Sequence, residues 1–110
     1  MTIERTSSVI PVDDLASAVG TWSAVLGTEP TFVDGDRWAQ FDVGPARIAL
    51  AGTDRAADSP GLMIKVDDPD GARATYQQAG IEVGDLTEGE HEVRFELLGL
   101  SAPVTVYAST

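Results

Sequence analysis

The chain has 110 residues, 43% of them apolar and 23% charged, with no cysteine. That fits one globular domain with a single core and excludes disulfides and thiolate chemistry. Its formal net charge of −11 repels nucleic acid and anionic membranes unless basic residues cluster, and its seven lysines and arginines form no run.

The predicted elements follow in chain order. Residues 5–12 end in VIPV and predict a strand. Asp13 or Asp14 then caps a helix through Leu26, with Leu15, Ala18, Val19, Trp22 and Leu26 on one face and Gly27 just past its end. EPTFVDGDRWAQFDVG predicts a hairpin turned at Asp34-Gly35-Asp36, and ARIALAG a further strand after Gly44-Pro45. TDRAADSP, residues 53–60, is a polar connector without periodicity. The pattern then restarts. GLMIKV is a strand, and Asp68 caps a helix opened by Pro69 and ended by Gly80, with Ala72, Tyr76 and Ala79 on its apolar side. IEVGDLTEGEHEVRFELLG predicts two strands around a turn near Glu88-Gly89, and APVTVYA the last strand.

Nothing in the chain approaches the roughly 20 apolar residues of a membrane span. The opening MTIERTSSVIPVDD lacks the apolar run of a signal peptide, so a cytoplasmic location is expected. Each half reads as βαβββ, with module one over about 1–53, the linker over 54–60 and module two over about 61–110 of a single domain. VIPVDDLASAVGTW and MIKVDDPDGARATY carry the same phrase 54 positions apart.

This repeat resembles the vicinal oxygen chelate superfamily, also called the glyoxalase/bleomycin-resistance/dioxygenase fold. The residues that carry the resemblance are VDDLASAVGTWSAVLG and LMIKVDDPDGARATYQQAGIEV. It implies an α+β fold in which two βαβββ modules form a curved mixed sheet around a central cup. It also implies a divalent metal in most relatives, held by one side chain from the first and last strands of each module. Those positions are Ser7, Ala49, Gly61 and Thr105. None supplies a carboxylate or an imidazole, so no metal and no other cofactor is expected.

Strand alternation divides the remaining side chains between two faces. Ile10, Val12, Phe41, Val43, Ile48, Leu50, Leu62, Ile64, Val66, Val93, Phe95, Leu97, Val104 and Val106 are expected under the helices as core. The other face is mixed, and it is either solvated or, if the sheet curves, a concave site. Its candidate ligand-binding residues are Ser7, Trp38, Gln40, Arg47, Ala49, Gly61, Met63, Arg94, Thr105 and Tyr107. Trp38, Met63 and Tyr107 offer flat or adaptable apolar surface. Arg47 and Arg94 either orient an anionic or carbonyl-bearing ligand or pair within the sheet.

Asp42 and Glu96, 54 apart, are the catalytic candidates, as an acid/base pair at matching strand positions. The plainer reading makes them carboxylates that are solvated or paired with arginine. His91, the only histidine, sits beside a turn and reads as surface. The leading expectation is a metal-free, non-enzymatic module that binds or sequesters an aromatic or natural-product-like small molecule in a cup, as a homodimer. The alternatives are a small lyase, isomerase or cyclase using the carboxylates, a metal-dependent glyoxalase-like enzyme, or a structural partner without a ligand.

Overall fold

The computed structural model describes all 110 residues. The elements in order are β1 (Ile3–Pro11), α1 (Leu15–Leu26), β2 (Phe32–Asp34), β3 (Trp38–Val43), β4 (Ala46–Ala51), β5 (Gly61–Val66), α2 (Pro69–Gln78), β6 (Glu82–Val83), β7 (Thr87–Glu88), β8 (Glu92–Leu98) and β9 (Val104–Ser109). They form an α+β chain with both parallel and antiparallel strand pairs. Two compact units result, one of Ser7–Gly61 and one of Met1–Thr6 with Leu62–Thr110. β1 is therefore divided between them, its first residues with the second unit and the rest with the first.

In the first unit α1 begins where Asp14 leaves the helical backbone. Its carboxylate accepts from Ser17 N at 3.1 Å, satisfying one of the free N–H groups of the first turn. Gly27 closes the helix at φ 68°, a left-handed conformation that costs glycine little. Strand order is β2-β3-β4-β1, with β4 parallel to β1 and the rest antiparallel. Leu15, Ala39, Phe41 and Leu50 make the core, with Ile10, Val12, Ala18, Val19, Trp22 and Leu26 packed on it. The expected helix face is thus the observed one.

The second unit repeats the device. Asp68 accepts from Gly71 N at the same 3.1 Å, with Pro69 opening the helix. Its core is Val66, Ala72, Phe95, Leu97, Val104, Val106 and Ala108, joined by Ile64, Tyr76, Ile81 and Val83. β9 runs parallel to β5 and antiparallel to β8.

Four expectations need correction. The single strand expected before the Glu88-Gly89 turn is broken into β6 and β7. Both pair with β8, but Val83 faces Leu97 and Thr87 faces Arg94, so four steps on one side span three on the other. That is a bulge of one extra residue, at Gly84-Asp85-Leu86, where Gly84 N donates to Glu96 O at 2.8 Å. Ala79 is exposed, because it caps α2 instead of lying on its apolar side. Val43 and Leu62 are exposed, each at or next to a strand end where the helix no longer covers the sheet. Finally, the repeat is not 54 throughout. Ser8 faces Ile48 and Leu62 faces Val104, so the last strands correspond at an offset of 56 while the first strands and caps keep 54. The second unit carries two more residues between its helix cap and β8.

Candidate functional site

In the first unit the face turned away from α1 is built from three aligned strands. Trp38 lies opposite Ala51, Gln40 opposite Ala49, and Asp42 opposite Arg47. Ala49 then neighbours Val9 on β1, and Arg47 neighbours Ser7. β2 adds Phe32 beside Gln40 and Asp34 beside Trp38. Six of the sequence-selected residues (Ser7, Trp38, Gln40, Asp42, Arg47 and Ala49) thus share one face, and Gly61 stands at the start of β5.

Most of their polar groups are bonded within the protein. Arg47 grips Asp42 with two hydrogen bonds, Nε at 2.8 Å and Nη2 at 3.2 Å, a bidentate geometry. The Thr31 hydroxyl donates to the same carboxylate at 2.8 Å. Trp38 Nε1 donates to Gln40 Oε1 at 3.2 Å. Ser7 is 5% exposed and Ala49 0% exposed, so a ligand reaches Ala49 only if its neighbours move.

The second unit places Met63, Arg94, Glu96, Thr105 and Tyr107 on its own face away from α2. Met63 faces Thr105, and Thr105 in turn faces Glu96, whose carboxylate accepts from the Thr105 hydroxyl at 2.7 Å. Arg94 lies opposite Tyr107 and contacts Glu92 on its own strand at 3.4 Å. Thr105 is 5% exposed. His91 is on the surface beside Glu90.

Strand register revises the acid/base pairing. Glu96 lies opposite Thr105 and Gln40 opposite Ala49, so at the offset of 56 Glu96 corresponds to Gln40. Asp42 corresponds to Leu98. The two carboxylates do not occupy matching positions, because the two additional residues shift β8 relative to the 54-residue repeat.

The metal-ligand positions implied by the resemblance fit no metal. Ser7, Ala49, Gly61 and Thr105 bring two hydroxyls, a methyl and a hydrogen, and the Thr105 hydroxyl is committed to Glu96. Zinc takes nitrogen, sulfur or carboxylate donors, and harder ions take several carboxylate or carbonyl oxygens. No group of three or more His, Asp or Glu side chains is placed to hold a metal ion.

Sequence reasoning missed Phe32 and Thr31. The signal was available for Phe32: an Asp34-Gly35-Asp36 turn sets it opposite Gln40, on the Trp38 side. Thr31 lies outside the strand, so alternation gave it no face.

No protein-family model matches the chain, and no curated protein matches it. Solved structures do. One, from Legionella pneumophila and named as an NAD-dependent benzaldehyde dehydrogenase, superposes with a TM-score of 0.85 at 14% identity, covering 96% of this chain and 99% of that one. A glyoxalase/bleomycin resistance protein/dioxygenase superfamily member from Vibrio splendidus 12B01 gives a TM-score of 0.70 at 14% identity, over 97% and 99% of the two chains. An uncharacterized protein from Methanosarcina mazei gives 0.59 at 14% identity, over 100% and 95%. At such identities the likeness speaks for the backbone alone. With the duplicated βαβββ order and its matched helix caps, it shows that this chain has the vicinal oxygen chelate fold, the fold of the glyoxalase/bleomycin-resistance/dioxygenase proteins.

Proposed function

We propose that the protein is a metal-free binding module for a small aromatic, natural-product-like molecule, and that it acts as a homodimer. The observation that carries this reading is the donor set at Ser7, Ala49, Gly61 and Thr105, which offers no anionic or imidazole ligand. Half-buried Trp38 in the first unit, and half-buried Met63 and Tyr107 in the second, each offer apolar contact area on the face of their own unit turned away from its helix. Asp42 serves to hold Arg47 and Thr31 in place, and its two partners favour that role over proton transfer. No helix is long and apolar enough to cross a membrane.

Elemental analysis of dialysed protein tests the reading. Zinc, iron, manganese and nickel are expected well below one equivalent, and a stoichiometric metal overturns it. A thermal-shift screen of flat aromatic compounds is expected to give stabilising hits, since a ligand at 100 times its Kd adds about 2.7 kcal/mol. Light scattering is expected to return twice the 11.6 kDa chain mass.

A further inference from the structure

The Gln40 side chain has one end occupied and one end open. An indole N–H only donates, so the amide atom that meets Trp38 Nε1 at 3.2 Å is the oxygen. That fixes the other end: Nε2, with two N–H donors, has no partner in the protein. The neighbours on this face do not supply one. Ala49 and Ala51 carry no acceptor in their side chains. Asp42, two residues along, is held by Arg47 and Thr31. Asp34, opposite Trp38, is paired with Arg37 at 3.8 Å.

Two aromatic residues neighbour Gln40 on this face. Phe32 stands directly opposite Gln40 on the same face and is 51% exposed. Trp38 is diagonal to Phe32 across the β2–β3 pair, a spacing of about 7–8 Å that aromatic side chains can bridge. Its indole is held by the bond to Gln40, so Trp38 is oriented before any ligand arrives.

We infer that Phe32, Trp38 and Gln40 form a recognition patch for a neutral, flat ring that carries a carbonyl, with Gln40 Nε2 as the donor to that oxygen. Lactones, lactams and quinones have this chemistry. The rings supply stacking surface, and the unpaired amide selects an acceptor because burying it without one is costly. Neutrality follows from the overall charge: with Asp34 and Asp42 paired to arginines, the net charge of −11 on the chain as a whole disfavours a carboxylate-bearing ligand. The inference rests on the binding-module reading above and names its ligand class.

The test uses three probes on the full chain: coumarin, naphthalene and coumarin-3-carboxylate, titrated by calorimetry and by NMR of the side-chain N–H groups. Coumarin is expected to bind about tenfold more tightly than naphthalene, the effect of one well-made hydrogen bond. It is also expected to bind more tightly than its carboxylate and to shift the Gln40 amide protons. Gln40→Glu keeps an acceptor for the indole but loses the donor. It is expected to abolish the preference for coumarin over naphthalene. Equal binding of coumarin and naphthalene, Gln40 protons that do not move, or no binding of coumarin at low-millimolar concentration overturns the inference. Tighter binding of the carboxylate overturns it too. The NMR shift in the wild-type chain decides the matter even if the variant fails to fold. Failure of the underlying reading is separate: it appears as a stoichiometric metal, or as no stabilising compound in the wider screen.

Discussion

At matched positions the first unit sets Trp38 beside Ala51, Gln40 beside Ala49 and Asp42 beside Arg47. The second sets Arg94 beside Tyr107 and Glu96 beside Thr105, with Leu98 where Asp42 would be. Both units use the same cap, helix and strand order, yet none of these pairs is chemically conserved between them. One has an aromatic ring over a methyl, an amide over a methyl and a bidentate ion pair. The other has a guanidinium beside a phenol and a carboxylate taking a threonine hydroxyl. What is repeated faces the helix and makes a core. What differs faces away from it, where buried Ala49, Ala51 and Thr105 lie beside partly exposed Trp38, Gln40 and Arg94.

The strand ends show the same contrast. In the second unit Asp67 accepts from the Thr2 backbone N–H at 2.7 Å, tying the start of β1 to the end of β5. That bond holds the Asp67 carboxyl below the usual carboxylate range. Asp13, the repeat counterpart of Asp67, instead lies 3.8 Å from Arg55. Arg55 also donates to Val12 O and Gly52 O, so the polar connector is fastened to the strands it follows.

The comparison can be broken or sharpened in several ways. The largest effect is expected in the cores. Phe41→Ala and Phe95→Ala remove fully buried rings, one from each unit, and should each cost about 3–5 kcal/mol in urea unfolding. A much smaller loss in one of them would mean that its unit packs less tightly than the other. The caps come next. Asp14→Ala and Asp68→Ala should cost about 1 kcal/mol each, and nearly the same amount, because their geometries match. Unequal losses would undo the equivalence of the two helix starts.

The Asp42–Arg47 pair, which the second unit lacks, should show a coupling of up to about 1 kcal/mol in a double-mutant cycle, weaker at high salt. The smallest effect concerns Asp67. Its pKa is lowered in the folded state, so the stabilisation is present above the unfolded value of about 3.9 and is lost as pH falls through the lower folded value. Asp67→Asn should therefore lower Tm slightly at neutral pH, and the gap from wild type should close in acid. A gap that persists at low pH would show that charge is not its source.

Much of the fold was legible because local rules agreed with the tertiary outcome. Asp14, Gly27, Asp68 and Pro69 are cap and helix-start signals that act within a turn of their own position. The 3–4 spacing of Leu15, Ala18, Val19, Trp22 and Leu26 marks the face that packs. The strand broken at Gly84 was not legible, since a bulge depends on what β8 does opposite it. For Asp42 an arginine partner was one of the open readings, but not which one, because Arg47 and Thr31 are chosen by strand register.

The sequence by itself determined that the chain is a duplicated βαβββ protein, that Phe41, Leu50, Val66, Phe95, Leu97, Val104 and Val106 lie in its cores, and that the positions where the resemblance implies metal ligands hold Ser, Ala, Gly and Thr. Those properties follow from periodicity, capping chemistry and residue identity, all written along the chain. Only the tertiary structure decided that Glu96 matches Gln40 and not Asp42, and that the Gln40 amide turns its oxygen to Trp38. The physical reason is that strand register and side-chain hydrogen bonds join residues distant in sequence. Two added residues are enough to move a whole strand past the repeat that predicted it.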